Sequence, residues 1–230
     1  MRALRRLLIV VLVLGAAPLA IWRGWWQVPP QWNPWAPLDV RLEPNLLTAW
    51  KMMRLGQDRE LCAQALATSP LRYLPLADNA ATADCPLSNV LRVQGSAVSF
   101  NSSFIATCPL AVAFAMYERH GLQPAAQAVY GQAVVRIDHL GSFACRNIGN
   151  SSRRSQHASA NALDIAGFRL ADGRRITVAR DWAGQGDDAR FLRLARDGAC
   201  KAFNVTLGPE YNAAHHDHFH LDMGLFRLCR

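Results

Sequence analysis

The sequence predicts an α+β domain built on an antiparallel sheet. Two observations carry that expectation. Stretches with apolar residues at helical spacing and short stretches of strict alternation occur in one chain, and they follow no repeating βαβ order. Length and composition set the frame: 230 residues leave 190 beyond the first forty, an ordinary size for one core. With 51% apolar and 18% charged residues, the chain is neither disordered, collagenous nor a polytopic membrane protein.

The first element is an export segment. Residues 1–26 hold Arg2, Arg5, Arg6 and Arg23 and no acid, and the uncharged run between Arg6 and Arg23 has the order of a basic n-region and an apolar h-region. The sixteen residues 7–22 rise only about 24 Å as a helix against a hydrocarbon core of ~30 Å, but Arg23 can snorkel and Trp25 and Trp26 can sit at the interface. A retained membrane anchor over 7–22 is the favoured expectation. Cleavage near Gly15 and Ala17, with secretion to the periplasm, is the rival. Positive-inside orientation puts everything after Trp26 outside the cytoplasm.

Residues 27–40 carry four prolines and read as an extended tether, leaving 41–230 as the domain. Five of the seven tryptophans fall between Trp22 and Trp35, either as a membrane-surface collar or as a cover on the domain. The net charge of +8 divides into +4 over 1–26, −1 over 27–40 and +5 over the rest. That mild excess, without lysine-rich runs, makes nucleic acid a poor partner and suits an anionic wall polymer.

From Asn45 to Leu66 apolar residues recur at helical spacing with a break near Gly56, predicting two short helices. Residues 88–100 alternate around Gly95-Ser96 and predict a hairpin. Cys108-Pro109 opens an apolar helix that Gly121 is expected to end, with Pro124 following. Residues 133–139 alternate as a strand, and Leu192–Phe203 reads as a helix with Asp187 and Asp188 near its start. The six cysteines, Cys62, Cys85, Cys108, Cys145, Cys200 and Cys229, form no C-x-x-C pair and in an exported chain predict disulfides. Six cysteines allow 15 pairings; nearest neighbours, Cys62 with Cys85, Cys108 with Cys145 and Cys200 with Cys229, are the expectation.

Chemistry concentrates in two segments. Five of the seven histidines lie between His157 and His220. Read as a strand, HDHFHLD puts His218, His220 and Asp222 on one face and Phe219 and Leu221 on the other. A half-buried strand with two imidazoles and a carboxylate needs partners, because burying them unpaired costs several kcal/mol. A metal ion is such a partner. Upstream, ALDIAGF alternates so that Asp164 shares a face with Ala162 and Ala166, and His157 can fold back beside it from a polar loop. Two imidazoles and a carboxylate make a three-ligand zinc site with one open position, the catalytic pattern.

The S-x-H-x6-D motif of Ser155, His157 and Asp164, followed by the H-x-H of His218 and His220, resembles the LAS zinc peptidases, the group of lysostaphin-type endopeptidases, D-Ala-D-Ala metallopeptidases and the hedgehog domain. More closely, the runs SFACRNIGN, SQHASANALDIAGFRLADG and YNAAHHDHFHLDMG, with the cysteines, resemble the extensin-like C-terminal family over roughly residues 40–230. The resemblance implies a small α+β domain around a four-stranded antiparallel sheet flanked by helices, with Zn2+ on the sheet face, and exported peptidase chemistry on peptidoglycan peptides. It also implies roles: His157, Asp164 and His220 as zinc ligands, His218 as the catalytic histidine, and His215 as a further active-site histidine. The E-x-x-H arrangement of the carboxypeptidase branch is absent, since Glu210 lies too far from His220, which moves the expectation toward an endopeptidase.

Arg146 is a candidate for binding a substrate carboxylate, with an exposed arginine without a task as the other reading. Ser155 and Asp222 are candidates for orienting the ligand histidines. Asp217 and His216 read as support or solvent contacts, and His120 and His139 as surface histidines. The alternative function is a zinc-containing wall-binding or structural domain that hydrolyses nothing.

Overall fold

From residue 27 onward the chain builds two sheets around a helix that is apolar on every side. The computed structural model describes residues 5–6, 15–16, 18–24, 27–78 and 84–230. Most of the expected anchor, 7–22, lies outside the described residues. Among the described residues no helix is long and apolar enough to cross a membrane.

Helices α1 (Thr48–Leu55) and α2 (Arg59–Leu66) follow the expected break, and Asp58 caps α2 by accepting from the Leu61 N–H at 2.9 Å. Strands β1 (Arg72–Pro75), β2 (Val90–Gly95) and β4 (Phe104–Thr107) form an antiparallel three-stranded sheet in the order β1-β2-β4. Strand β3 (Ser99–Phe100) leaves that sheet and pairs parallel with β5 (Val134–Gly141), so the expected hairpin across Gly95-Ser96 does not form. The reason is a buried carboxylate: Glu118 accepts from the Ser96 hydroxyl and from the Val98 N–H, and draws the connection over to the second sheet.

Helix α3 (Cys108–Tyr117) is buried on all faces except at Pro109, as its uniformly apolar sequence requires. It does not end at Gly121. A π-type turn, Glu118–Leu122, carries it into α4 (Gln123–Tyr130), which ends at Gly131 in the left-handed conformation, φ 64°. Gly121 serves packing instead: a Cβ there would lie 3.0 Å from the Cα of Gly198 on α6 (Asp187–Ala202), which follows the short α5 (Val178–Asp181), so the two helices cross backbone to backbone. Helix α6 begins with the acidic pair Asp187 and Asp188, placed favourably at its N-terminus.

The larger sheet has seven strands, β10-β8-β9-β6-β5-β3 with β7 (Arg175–Thr177) paired to β6 (Ala162–Leu170). Strands β8 (Val205–Leu207) and β9 (Phe219–Asp222) are antiparallel, while β10 (Leu228–Cys229) joins β8 in parallel. The sheet is therefore mixed and larger than the expected antiparallel four. Both parallel pairs are at its edges, where β3 arrives from the other sheet and β10 is tied back to α6 by Cys200–Cys229. One face of the sheet, with Ile137, Leu163, Ile165, Phe168, Phe219 and Leu221, packs on the helices. The other face carries the chemistry.

The six cysteines form three disulfides, which points to an oxidising, extracytoplasmic compartment. Two pairings differ from the nearest-neighbour expectation: Cys62 bonds Cys108 and Cys85 bonds Cys145. Helix packing decides the first, since α2 lies against the start of α3. The segment 27–40 is also not extended as expected. Leu38 and Val40 are in the core, Lys51 Nζ donates to the Pro30 carbonyl at 2.6 Å, and Trp35 meets Trp50 edge-on at 6.5 Å. Trp35 thus follows the covering reading of the tryptophans.

Neither His120 nor His139 is a surface histidine. His139 is buried between Phe100 and Phe104 with Nε2 at 2.9 Å from the Ser102 carbonyl, and burial holds its pKa below the usual value. His120 is half-buried, its Nε2 2.8 Å from the Val40 carbonyl and Nδ1 3.3 Å from Glu43.

A candidate metal centre on the outer sheet face

The site starts from one cross-strand pair. Asp164 on β6 and His220 on β9 are direct register partners, so their side chains rise side by side from the outer face. His157 comes from a 3₁₀ turn, Gln156–Ser159, that folds over the start of β6. Ser155 caps this turn by accepting from the His157 N–H at 3.3 Å. Ala160 closes it in the left-handed region, φ 54°, which costs an alanine about 1 kcal/mol. That turn is held in place because the Ala160 carbonyl accepts from the Thr107 N–H and Asn161 from the Thr107 hydroxyl.

Three donor atoms then converge. His157 Nε2 is 3.1 Å from His220 Nδ1 and 3.1 Å from Asp164 Oδ2, and His220 Nδ1 is 2.9 Å from Asp164 Oδ1. The two distances to Asp164 belong to different oxygens; with one donor atom taken from each residue all three lie within 4.8 Å of one another, a spread from which a tetrahedral ion, with ligand atoms about 3.3 Å apart, can gather them. His157, Asp164 and His220 could therefore hold a metal ion, and their burial limits competing water.

The backs of both imidazoles are fixed. His157 Nδ1 donates to the Ser142 carbonyl at 3.1 Å, and His220 Nε2 donates to Asp222 Oδ2 at 3.0 Å, which leaves His157 Nε2 and His220 Nδ1 to face the centre. Burial works against the carboxylate of Asp164, yet hydrogen bonds with His157 and His220 hold its pKa well below the usual range. Burial likewise disfavours charge on His220, but its bonds to Asp164 and Asp222 prevail and raise it to about 9. A cation at the centre would take the place of the Nδ1 proton.

His218, just before β9, points to the same centre: its Nε2 is 3.7 Å from Asp164 Oδ1, and its Nδ1 is 2.8 Å from Asp217 Oδ1. His215 stands at the rim with its ring 5.3 Å from that of His218 and its Nδ1 2.7 Å from Asn212 Oδ1. Burial, followed by the positive charges of His220 and His218, lowers its pKa to about 4. Arg146 is exposed and near enough to add to that depression. Ser155 reaches the backbone of His157 rather than its ring. Glu210 is turned away to Arg196, 3.2 Å distant.

Sequence reasoning missed the Ser142 carbonyl, which no side-chain pattern announces. Asp217, expected to lie opposite the metal or in the turn as a support or solvent contact, lies in the turn before β9 and supports His218 through its Nδ1.

Comparison with known proteins agrees with the motif runs. A family model described as the extensin-like protein C-terminus matches residues 60–230. No curated protein and no solved structure matches the chain. A match over that span, taking in all six cysteines and every residue of the candidate metal centre, places the chain in the extensin-like C-terminal family.

Proposed function

We propose that this chain is an exported zinc-dependent peptidoglycan peptidase, an endopeptidase, anchored in the inner membrane through residues 7–22 with the domain 41–230 in the periplasm. The observation that carries the reading is the convergence of His157, Asp164 and His220 on one point beside His218. Two imidazoles and one carboxylate are the donor set of catalytic zinc with an open position. A closed structural site draws on thiolates, and all six cysteines are in disulfides. The likeness of the S-x-H-x6-D and H-x-H motifs to LAS peptidases supports the same conclusion.

Bound zinc supplies Lewis acidity, polarising a substrate carbonyl and acidifying water. The chain's own residues handle the proton. Because the Asp217 carboxylate can only accept, the His218 proton sits on Nδ1 and the Nε2 lone pair faces the centre. His218 takes a proton at Nε2 and returns it to the leaving amine, an exchange suited to an imidazole. His215 closes the rim as a neutral ring, and Arg146 binds a substrate carboxylate. Glu210 is paired elsewhere, and the position three before His220 holds not a glutamate but Asp217, which is committed to His218 Nδ1; this favours the endopeptidase.

Zinc content measured together with product release from purified peptidoglycan tests the reading. One zinc per chain with released peptides is expected. Stoichiometric zinc without any product supports the non-catalytic wall-binding alternative instead.

A further inference from the structure

The outer face that carries the metal centre also carries an arrangement the centre does not use. Arg136 on β5, Arg169 on β6 and Arg175 on β7 are consecutive register partners, Arg136 opposite Arg169 and Arg169 opposite Arg175. Register partners point to the same face, and like charges directly opposite one another destabilise a sheet. One carboxylate serves two of the three: Asp138 pairs with Arg136 at 2.9 Å and Arg175 at 3.4 Å. The Arg169 side chain is exposed and has no hydrogen-bond or ion-pair partner among the described residues. Protection of an edge strand by charge accounts for Arg175 but not for Arg136 and Arg169, which are on interior strands.

The ladder and the centre are on one surface. Asp164 and Arg169 both point away from the core residues Leu163, Ile165 and Phe168, and they lie five residues apart on β6, roughly 16 Å along the strand. Between them the face carries Ala166 and Gly167, with Thr177 and Asp138 as the register partners of Gly167; the Ile176 carbonyl and the Thr177 methyl fill the place of the missing side chain, so the surface there is built of small groups and one carboxylate already paired with Arg136 and Arg175. An extended peptide advances about 3.3 Å per residue, so one lying along β6 reaches from the centre to the ladder in four or five residues.

We propose that the arginine ladder Arg136–Arg169–Arg175 is a substrate subsite, which binds a carboxylate of the wall peptide four to five residues from the bond held at the metal centre. The proposal rests on the peptidase reading and adds the substrate's charge and reach to it. Arg169 offers an uncommitted guanidinium fork, the geometry that takes a carboxylate through two hydrogen bonds.

The test uses the full chain in detergent with zinc added, and measures its binding to purified peptidoglycan by sedimentation. The polymer is used native, with its carboxyl groups converted to amides, and stripped of phosphodiester-linked chains. Arg169→Gln is expected to weaken binding to native polymer about tenfold, the low end for a charge-assisted pair. The amidated polymer is expected to bind wild type and variant equally, and the stripped polymer to behave as the native one. Arg119→Gln, an exposed arginine in the π-type turn Glu118–Leu122 and not on the sheet, leaves binding unchanged.

Equal affinity of Arg169→Gln and wild type for native polymer overturns the proposal, as does a loss that persists on amidated polymer. Loss of the Arg169 effect on stripped polymer assigns the ladder to phosphate and also overturns it. Arg169-dependent binding without product release keeps the subsite and removes the peptidase. Product release with Arg169-independent binding does the reverse.

Discussion

Asp222 should control zinc affinity without touching the metal. Its Oδ2 accepts from His220 Nε2 at 3.0 Å and its Oδ1 from the Gly224 N–H at 2.7 Å, so two oxygens serve two donors. This keeps the His220 proton on Nε2 and leaves Nδ1 as the ligand atom. Asp222→Asn preserves the shape but supplies one acceptor for both donors. If the amide oxygen stays on Gly224, the NH2 group faces Nε2 and drives the ring proton to Nδ1, where the metal must bind. If the oxygen turns to His220, the buried Gly224 N–H faces another donor, at a cost of about 1–3 kcal/mol. Either route predicts a zinc affinity lowered roughly 10–100-fold, the range for losing such a support. Competition with a calibrated chelator at neutral pH measures it. An Asp222→Asn affinity within about threefold of wild type would refute the argument that this pair sets the tautomer.

Other consequences can be checked on the same protein. His218→Ala should retain zinc and lose hydrolysis, whereas His220→Ala should lose both; metal analysis beside a peptidoglycan release assay separates them. Replacing Cys85 and Cys145 together by alanine opens a link across 60 residues and should cost about 4 kcal/mol by the chain-entropy relation, read as a lower midpoint in denaturant. Because the Ala144 N–H donates to the His157 carbonyl, zinc affinity should fall in that variant as well. Burial raises the Glu118 pKa against the hydrogen bonds from Ser96 and Val98, so the folded state holds this proton more tightly than the unfolded one. The native chain should then lose stability as pH rises above about 4.5, by up to about 1.4 kcal/mol per unit, until the folded-state pKa is passed. Glu118→Gln should abolish that component and be the more stable protein at neutral pH, which urea titrations across the range would show.

The parts of the structure legible in the sequence are those where one local period decides. Strand alternation placed Asp164, His218 and His220 on one side and Leu163, Phe219 and Leu221 on the other, because a half-buried strand offers no third direction. The helices around Gly56, and the one expected over 192–203 and found over 187–202, followed from apolar spacing for the same reason. What failed depends on partners distant in the chain. Gly121 is a helix terminator by local rules, yet its lack of a side chain answers to Gly198, 77 positions away on another helix. Gly95-Ser96 reads as a hairpin turn until Glu118 is seen to bind both Ser96 and Val98. The pairings of Cys62 with Cys108 and Cys85 with Cys145 follow from packing, which cysteine spacing does not encode.

The candidate site divides along the same line, and that division explains its construction. The residues that would touch the metal are side chains in short motifs, so they are visible in the sequence. Of those that fix their orientation, Ser155 and Asp222 stand in the motif segments, whereas the Ser142 carbonyl and the left-handed alanine at position 160 stand in none. Cys85–Cys145 ties this supporting layer to the segment before β2, and the Thr107 contacts tie it to the start of α3. His157 is thus held through the 142–161 loop by the core rather than by the outer sheet face alone. A change on that loop should therefore be felt as metal affinity even where it removes no ligand.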